Sequence, residues 1–182
     1  MMNDERYDIA DQVTAYAREK RLSPQTVARW QAWTVPDQAA LWELVQVLQL
    51  GENHLRDFLD WCEEIMLRDG GSIAALLART ELRRPLTAQL GRNDKLKAVK
   101  EGLRKIRYPR LSQLEDELRA AVKALDLGGR VQVSFPPSLE GEDITIEIKA
   151  RNAKELSEQL TRLHQRLEDG AVLRLFTLLD QV

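Results

Sequence analysis

The chain has 182 residues, of which 43% are hydrophobic and 31% charged, and its formal net charge is −2 at pH 7. This composition leaves little room for long disorder, and no apolar run approaches the ~20 residues that a membrane-spanning helix needs. The acidic opening MMNDERYDIADQ is unlike a secretory signal and predicts a cytoplasmic protein, while the single Cys62 excludes an internal disulfide.

Positive charge is concentrated in the middle of the sequence. The segment from Arg79 to Arg110 holds eleven basic and three acidic residues, a net charge of +8, whereas the rest of the chain carries −10. The whole-chain average therefore hides a basic segment between two acidic ones. Such a segment is typical of a surface that meets an anionic partner.

Residues 1–78 are predicted to form a helical domain. Ile9, Val13 and Tyr16 recur with helical spacing, and Pro36 opens a later helix. Further apolar positions with this spacing are Leu41, Leu44, Val45, Leu48, Leu55, Phe58, Leu59, Cys62 and Ile65. All four tryptophans also lie in this half, so its core is expected to be helical and aromatic.

The stretch AREKRLSPQTVARW, residues 17–30, matches the pattern of a helix-turn-helix core. A small residue, Ala17, stands where two helices would cross closely. Leu22 and Ser23 would form the turn, with Ser23 as the N-cap of the second helix, and Trp30 would anchor that helix.

In a helix-turn-helix, the second helix would offer Gln25, Thr26 and Arg29 to a DNA groove. Arg21 departs from the usual pattern, because this turn position normally holds a glycine, for which positive φ costs little. Ser-Pro-x-Thr also opens many helices that touch no DNA. The motif therefore leaves a purely structural pair of helices open.

The basic segment contains a predicted linker followed by a predicted helix. Residues 79–93 lack steady periodicity and include Pro85 and Gly91, which favours a linker. Asp94 then caps a helix whose apolar face carries Leu96, Val99, Leu103 and Ile106.

A row of cations follows a neighbouring face of this helix: Lys97, Lys100, Arg104 and Arg107, with Arg110 extending it. Such a row matches phosphates along a nucleic-acid backbone. The same row can also be a solvated face, or can pair with acids of this chain.

Residues 94–182 are predicted to combine this basic helix with an α-β-β-α-α dimerisation unit. A capping box, SQLE at residues 112–115, opens the first helix, and RVQVSF and DITIEIK alternate apolar and polar residues as strands do. A helix with leucines at positions 156, 160, 163 and 167 follows, and then a last helix that is apolar nearly all round. The fold class is mainly α with a small α+β C-terminal half.

A two-stranded hairpin leaves unpaired edges, and an exposed apolar helix is a liability. Pairing with the same strands of a second copy would solve both problems, so a homodimer with a four-stranded shared sheet is predicted. Burial of the last helix within the monomer is the alternative.

No arrangement of residues indicates catalysis or a bound cofactor. The two histidines, His54 and His164, are far apart, and there is no His-Glu-x-x-His motif, no Cys-x-x-Cys motif and no phosphate-binding glycine loop. The sequence therefore predicts a protein that is not an enzyme and that holds no cofactor or metal.

Three segments, LGENHLRDFLDWCEEIMLRDG, LRKIRYPRLSQLE and PPSLEGEDITIEI, resemble the C-terminal region of ParB-like partition proteins, which carry a ParB-like nuclease-fold N-terminal domain. No segment of this sequence resembles that N-terminal domain, so CTP binding is not implied. The resemblance implies a dimeric, DNA-associated protein of chromosome or plasmid partition, with another partition-type protein as a further partner. It assigns no individual site residue.

Two functions follow as expectations. The first is a dimeric DNA-binding or partition-like accessory module that contacts phosphates through the basic helix. The alternative is an adaptor that binds an acidic or apolar protein partner without nucleic acid. The two differ in salt dependence, because phosphate binding weakens steeply with ionic strength.

Overall fold

Ten α-helices and one two-stranded antiparallel sheet form the described part of the chain. The computed structural model describes residues 2–141 and 143–181, without the side chains of residues 2–8. The helices are α1 (Met2–Lys20), α2 (Pro24–Gln31), α3 (Val35–Leu48), α4 (Glu52–Asp69), α5 (Ile73–Leu77), α6 (Thr80–Thr87), α7 (Arg92–Arg107), α8 (Pro109–Ala124), α9 (Ala153–Glu168) and α10 (Ala171–Leu179). The strands are β1 (Val131–Ser134) and β2 (Thr145–Ile148). The predicted fold class is confirmed.

The chain divides into two compact units, residues 1–107 and 108–182. In the first, helices α1 to α7 surround one apolar core. Trp30, Phe58 and Leu41 are fully buried there, together with the predicted apolar faces of α3 and α4. These faces arise from apolar residues three and four positions apart, which lie on one side of a helix.

Two buried polar side chains of α3 join neighbouring helices. The Asp37 carboxylate accepts a hydrogen bond from the Ala74 N–H at 2.7 Å, at the start of α5. The Gln38 amide donates to the carbonyls of Gln31 and Trp33 at the end of α2. Because each polar group is paired, its burial carries no uncompensated desolvation cost.

The predicted linker at residues 79–93 is wrong, because α6 occupies most of it. Leu82 and Leu86, one helical turn apart, are buried in the core of the first unit. Gly102 allows α7 to approach this helix closely, since a Cβ added to Gly102 would lie 2.7 Å from Leu82 Cδ2. The boundary between the units falls after Arg107, so the basic helix belongs to the first unit and not, as predicted, to the second.

In the second unit, a hairpin and three helices enclose a smaller core. Val131 pairs with Ile148 and Val133 with Ile146 in the β1–β2 register, which keeps apolar side chains on one face. Buried residues of α8 and α10 complete the core: Leu114, Leu118, Ala121, Val172, Leu175, Leu178 and Leu179.

Helix α8 begins earlier than the capping-box pattern predicts. It starts at Pro109, the first-turn position where proline costs no hydrogen bond. Ser112 is therefore buried inside the helix, and its N–H donates to the Tyr108 carbonyl.

Across the described ranges, no helix has the length and apolar character needed to cross a bilayer.

Candidate functional site

The basic helix α7 buries its predicted apolar face. Val99 and Leu103 are fully buried and Ile106 nearly so, while Leu96 packs at the edge of the core. Lys97, two residues before Val99, is exposed. The sequence therefore predicted the orientation of this helix correctly.

The row of cations on α7 is not a free line of charge, because acids of the same chain pair with part of it. Lys100 Nζ lies 2.8 Å from a carboxylate oxygen of Asp57, and Arg107 forms an ion pair with Glu64. The two acids lie seven residues apart on α4, and their two basic partners lie seven residues apart on α7. The alternative of pairing with the chain's own acids therefore holds for these positions.

Of the remaining predicted cations, Arg104 and Arg110 also have partners within the chain, whereas Lys97 is exposed as predicted. Arg104 Nε lies 3.0 Å from Glu101 on the same helix. Arg110 belongs to the second unit and donates a hydrogen bond to the Gln181 carbonyl at 3.0 Å. In the part of the chain that the structure describes, Lys97 forms no ion pair.

The indole of Trp61 lies between the helices that carry these charges. Lys100 Nζ is 5.0 Å from its ring centre, and Arg107 Cζ is 5.8 Å away. Cations at such distances from an indole face are attracted by its quadrupole. Ion pairs and cation–π contacts together make α7 a structural partner of α4.

Arg68, at the end of α4, provides a further tie between these helices. Its guanidinium donates to the Ile106 carbonyl at 2.8 Å and also to the Arg107 carbonyl. These carbonyls lie in the last turn of α7, where they lack partners within the helix and carry partial negative charge. Arg68 therefore fixes the end of the basic helix.

The turn between α1 and α2 has the local features that the pattern predicts at Arg21, Leu22 and Ser23. Arg21 adopts a left-handed conformation with φ of 54°, and the Leu22 N–H donates to the Ala17 carbonyl at 2.9 Å. The Ser23 hydroxyl caps α2 by accepting from the Thr26 N–H, and Trp30 is fully buried. The turn thus forms without glycine.

Two of the three residues predicted to face a groove have structural roles instead. Thr26 is 3% exposed, and its hydroxyl donates to Glu52 at 2.6 Å. Arg29 lies 2.8 Å from Asp60 and 2.6 Å from Glu63, and the hydrogen bond to Glu63 is the main cause of its raised pKa. Gln25 alone is exposed as predicted.

The outward face of α2 carries other residues that the motif did not single out. Ala28 and Gln31 are exposed beside Gln25, and Arg18 and Arg21 are exposed at the preceding turn. A groove of about 410 Å³ runs between α1 and α2 and is lined in part by Arg18, Arg21, Ala28 and Gln31. Helical spacing at 25, 28 and 31 was the signal that would have identified this face.

We refer to Arg18, Arg21, Gln25, Ala28 and Gln31 as the turn face. Helix α2 contains no acidic residue. Neither arginine forms an ion pair with any residue of the described ranges. Positive charge on the turn face therefore remains available to an outside anion.

Glu52 links α4 to the start of α2 through its carboxylate. The Ser23 N–H donates to it at 2.9 Å and the Thr26 hydroxyl at 2.6 Å. Burial raises the pKa of Glu52, but the hydrogen bonds from Thr26 and Ser23 outweigh burial and hold the pKa below its usual value. The ionised form is therefore favoured by folding, and its contribution is lost as the pH falls through the folded pKa.

Replacing Glu52 with glutamine is expected to lower the free energy of unfolding by about 1 kcal/mol at pH 7. The amide offers one acceptor oxygen, so one of the two donors loses its partner. Urea unfolding of the native protein and the variant at pH 7, and at a pH below the ordinary glutamate pKa of 4.5, measures this loss. The difference in free energy of unfolding between the two proteins should shrink at the lower pH. An undiminished difference at low pH would contradict the role of the charge.

The second unit exposes an apolar stripe on α9. This helix has no buried residue, and Leu156, Leu160 and Leu167 are 40%, 49% and 53% exposed. On α10, Leu173 and Phe176 are also exposed, at 66% and 41%. The alternative to a dimer, burial of the last helix within the monomer, therefore accounts for only one side of α10.

Among the side chains that the structure describes, no three or more potential metal ligands come together. No protein-family model, no curated protein and no solved structure matches the chain.

Proposed function

We propose that this protein is a non-enzymatic, dimeric DNA-binding module of the partition-accessory type, and that it contacts duplex DNA through the turn face. One observation carries the proposal. Arg18 and Arg21, neither of which forms an ion pair within the described ranges, lie beside the exposed face of α2, a helix without acidic residues. The basic helix α7, by contrast, holds most of its charge against the protein itself. Only Lys97 of that row is available as an additional phosphate contact.

The turn face has suitable chemistry for a DNA groove. A glutamine amide can donate to adenine N7 and accept from the adenine N6 amino group. Gln25 and Gln31 are two exposed amides of this kind, and the amide of Gln31 donates to the Thr14 hydroxyl at 3.3 Å in the free protein. Ala28 between them leaves room for a close approach and can contact a thymine methyl group. Arg18 and Arg21 would bind phosphates and fix the orientation of α2.

The exposed stripe of α9 supports the dimeric part of the proposal. Leu156, Leu160 and Leu167 are exposed, and Leu163 between them packs in part against the core of its own unit. The four leucines are separated by four, three and four residues, a spacing that is the same in both directions. A second copy, antiparallel across a twofold axis, would therefore place leucine against leucine along the whole stripe. A dimer would also present two turn faces, as a DNA site with two half-sites requires.

Reversing the charge of Arg18 and Arg21 together is expected to weaken binding to a mixed-sequence DNA duplex by at least about tenfold. Each lost phosphate contact should also reduce the slope of log affinity against log salt concentration by about one. Fluorescence anisotropy with a labelled duplex at two salt concentrations gives both quantities.

The matched control for this pair is Arg79→Glu with Arg84→Glu, which changes the same charge at two other exposed positions of the first unit. Equal weakening by both pairs would indicate unspecific attraction and contradict the turn face. Absence of duplex binding by the native protein, even at low salt, would favour the adaptor function instead.

A further inference from the structure

A second groove of the first unit lies between α4 and α7, away from the turn face. It encloses about 480 Å³, a size typical of ligand pockets. Trp61 and Leu96, both half-buried, are the apolar part of its lining. His54, Lys97, Lys100 and Arg104 provide the polar part, with Glu101 as the acidic member.

We propose that this groove binds an acidic peptide segment of a partner protein, with one apolar side chain of that segment inserted against Trp61. The proposal does not depend on DNA binding by the turn face. The sequence analysis kept binding of an acidic protein partner as an alternative function, and the proposal places the binding site for such a partner in this groove.

Charge complementarity identifies the acidic character of the segment. Three of the lining side chains are cations, and the one acid, Glu101, pairs with Arg104. The positive charge offered to a partner therefore comes from Lys97 and Lys100. Lys97 is exposed and forms no ion pair within the described ranges, so it can receive a carboxylate directly. Lys100 and Asp57 are 25% and 39% exposed, and an ion pair of this exposure is weak enough to exchange partners.

The apolar floor identifies the second property of the segment. The indole of Trp61 and the side chain of Leu96 give the groove an apolar lining, which the polar backbone of a duplex does not complement. A leucine or phenylalanine side chain would bury this surface and gain about 25 cal/mol for each Å² removed from water. Lys97 at the rim would then set the orientation of the flanking acids.

The test is a titration of the full-length, nitrogen-15-labelled protein with three synthetic peptides, followed by NMR. The acidic peptide Glu-Asp-Leu-Phe-Glu-Asp should produce saturable shifts at the Trp61 indole N–H and the Lys97 amide at up to millimolar concentration. The peptides Glu-Asp-Gly-Ser-Glu-Asp and Lys-Lys-Leu-Phe-Lys-Lys should leave both signals unmoved, because each lacks one of the two required properties.

Lys97→Glu should weaken binding of the acidic peptide about fivefold or more. The control Arg84→Glu makes the same change of charge at an exposed position outside the groove, and it should have no effect. Equal weakening by both variants, equal binding of the anchor-free peptide, or no saturable shift would overturn the proposal.

A single-stranded oligonucleotide that moved the same signals at lower concentration would also overturn it, in favour of a nucleic-acid groove. Failure of the turn-face proposal would appear in the DNA anisotropy measurement and not in this peptide titration. The double variant of Arg18 and Arg21 leaves the groove intact and should bind the acidic peptide like the native protein.

Discussion

Trp30→Ala is expected to lower the free energy of unfolding of the first unit by about 3–5 kcal/mol. Trp30 is fully buried, its ring centre lies 6.2 Å from that of Trp42, and its indole N–H points to the Gln38 carbonyl at 3.4 Å. Truncation removes this contact area and leaves a cavity under α2. Since α2 carries Gln25 and Gln31, the turn face should lose its fixed geometry as well.

Urea unfolding followed by circular dichroism and tryptophan fluorescence measures this loss. Trp30→Phe is the matched control, because it keeps an aromatic ring in the core and should cost clearly less than the alanine variant. A loss below about 1 kcal/mol for Trp30→Ala would mean that α2 does not depend on this anchor.

Leu160→Glu is expected to convert the proposed dimer to monomer, with the dissociation constant raised by about a hundredfold or more. Leu160 lies in the middle of the α9 stripe and is 49% exposed, so the change should leave the fold of each subunit intact. Twofold symmetry places two copies of the substituted residue in one interface, and the cost of burying the carboxylate is therefore incurred twice.

Light scattering coupled to size-exclusion chromatography measures the mass of native protein and variant. Gln165→Glu is the matched control, since it adds the same charge at an exposed position of α9 outside the leucine stripe. A native protein that elutes as a monomer at micromolar concentration, or a Leu160→Glu protein that remains dimeric, would contradict the proposed interface.

Local patterns in the sequence predicted most of the helices and both strands. The faces of α3 and α4 are buried as their spacing indicated, Ser23 caps α2, and the alternating runs pair in β1 and β2. These features depend on residues within one or two turns of each other. Sequence reasoning is strongest at that range.

The ion pairs between the basic helix α7 and α4 join residues much farther apart in sequence than one or two helical turns. Lys100 and Asp57 are 43 residues apart in sequence, and only the packing of α7 against α4 brings them together. Helical spacing placed the cations of α7 in one row correctly, but it contained no information on what faces that row. The same limit hid Glu52 as the partner of Thr26.

The missed helix α6 has a different cause. Its eight residues are too few for a clear apolar period, and Pro85 within them is normally a sign of a break. Tertiary packing of Leu82 and Leu86 against the core stabilises the helix despite the proline. The glycine at position 102 was the available signal, because a glycine inside a helix commonly marks a close approach of another segment.

The carboxylates of α4 act as built-in counterions for α7. A protein cation that neutralises a nucleic-acid phosphate normally gains from the small ions set free into solution. If a phosphate replaced Asp57 at Lys100 or Glu64 at Arg107, one tethered anion would be exchanged for another, and the freed carboxylate would recruit a cation from solution. Association through Lys100 and Arg107 would thus lack the entropy of ion release, although both side chains are cations.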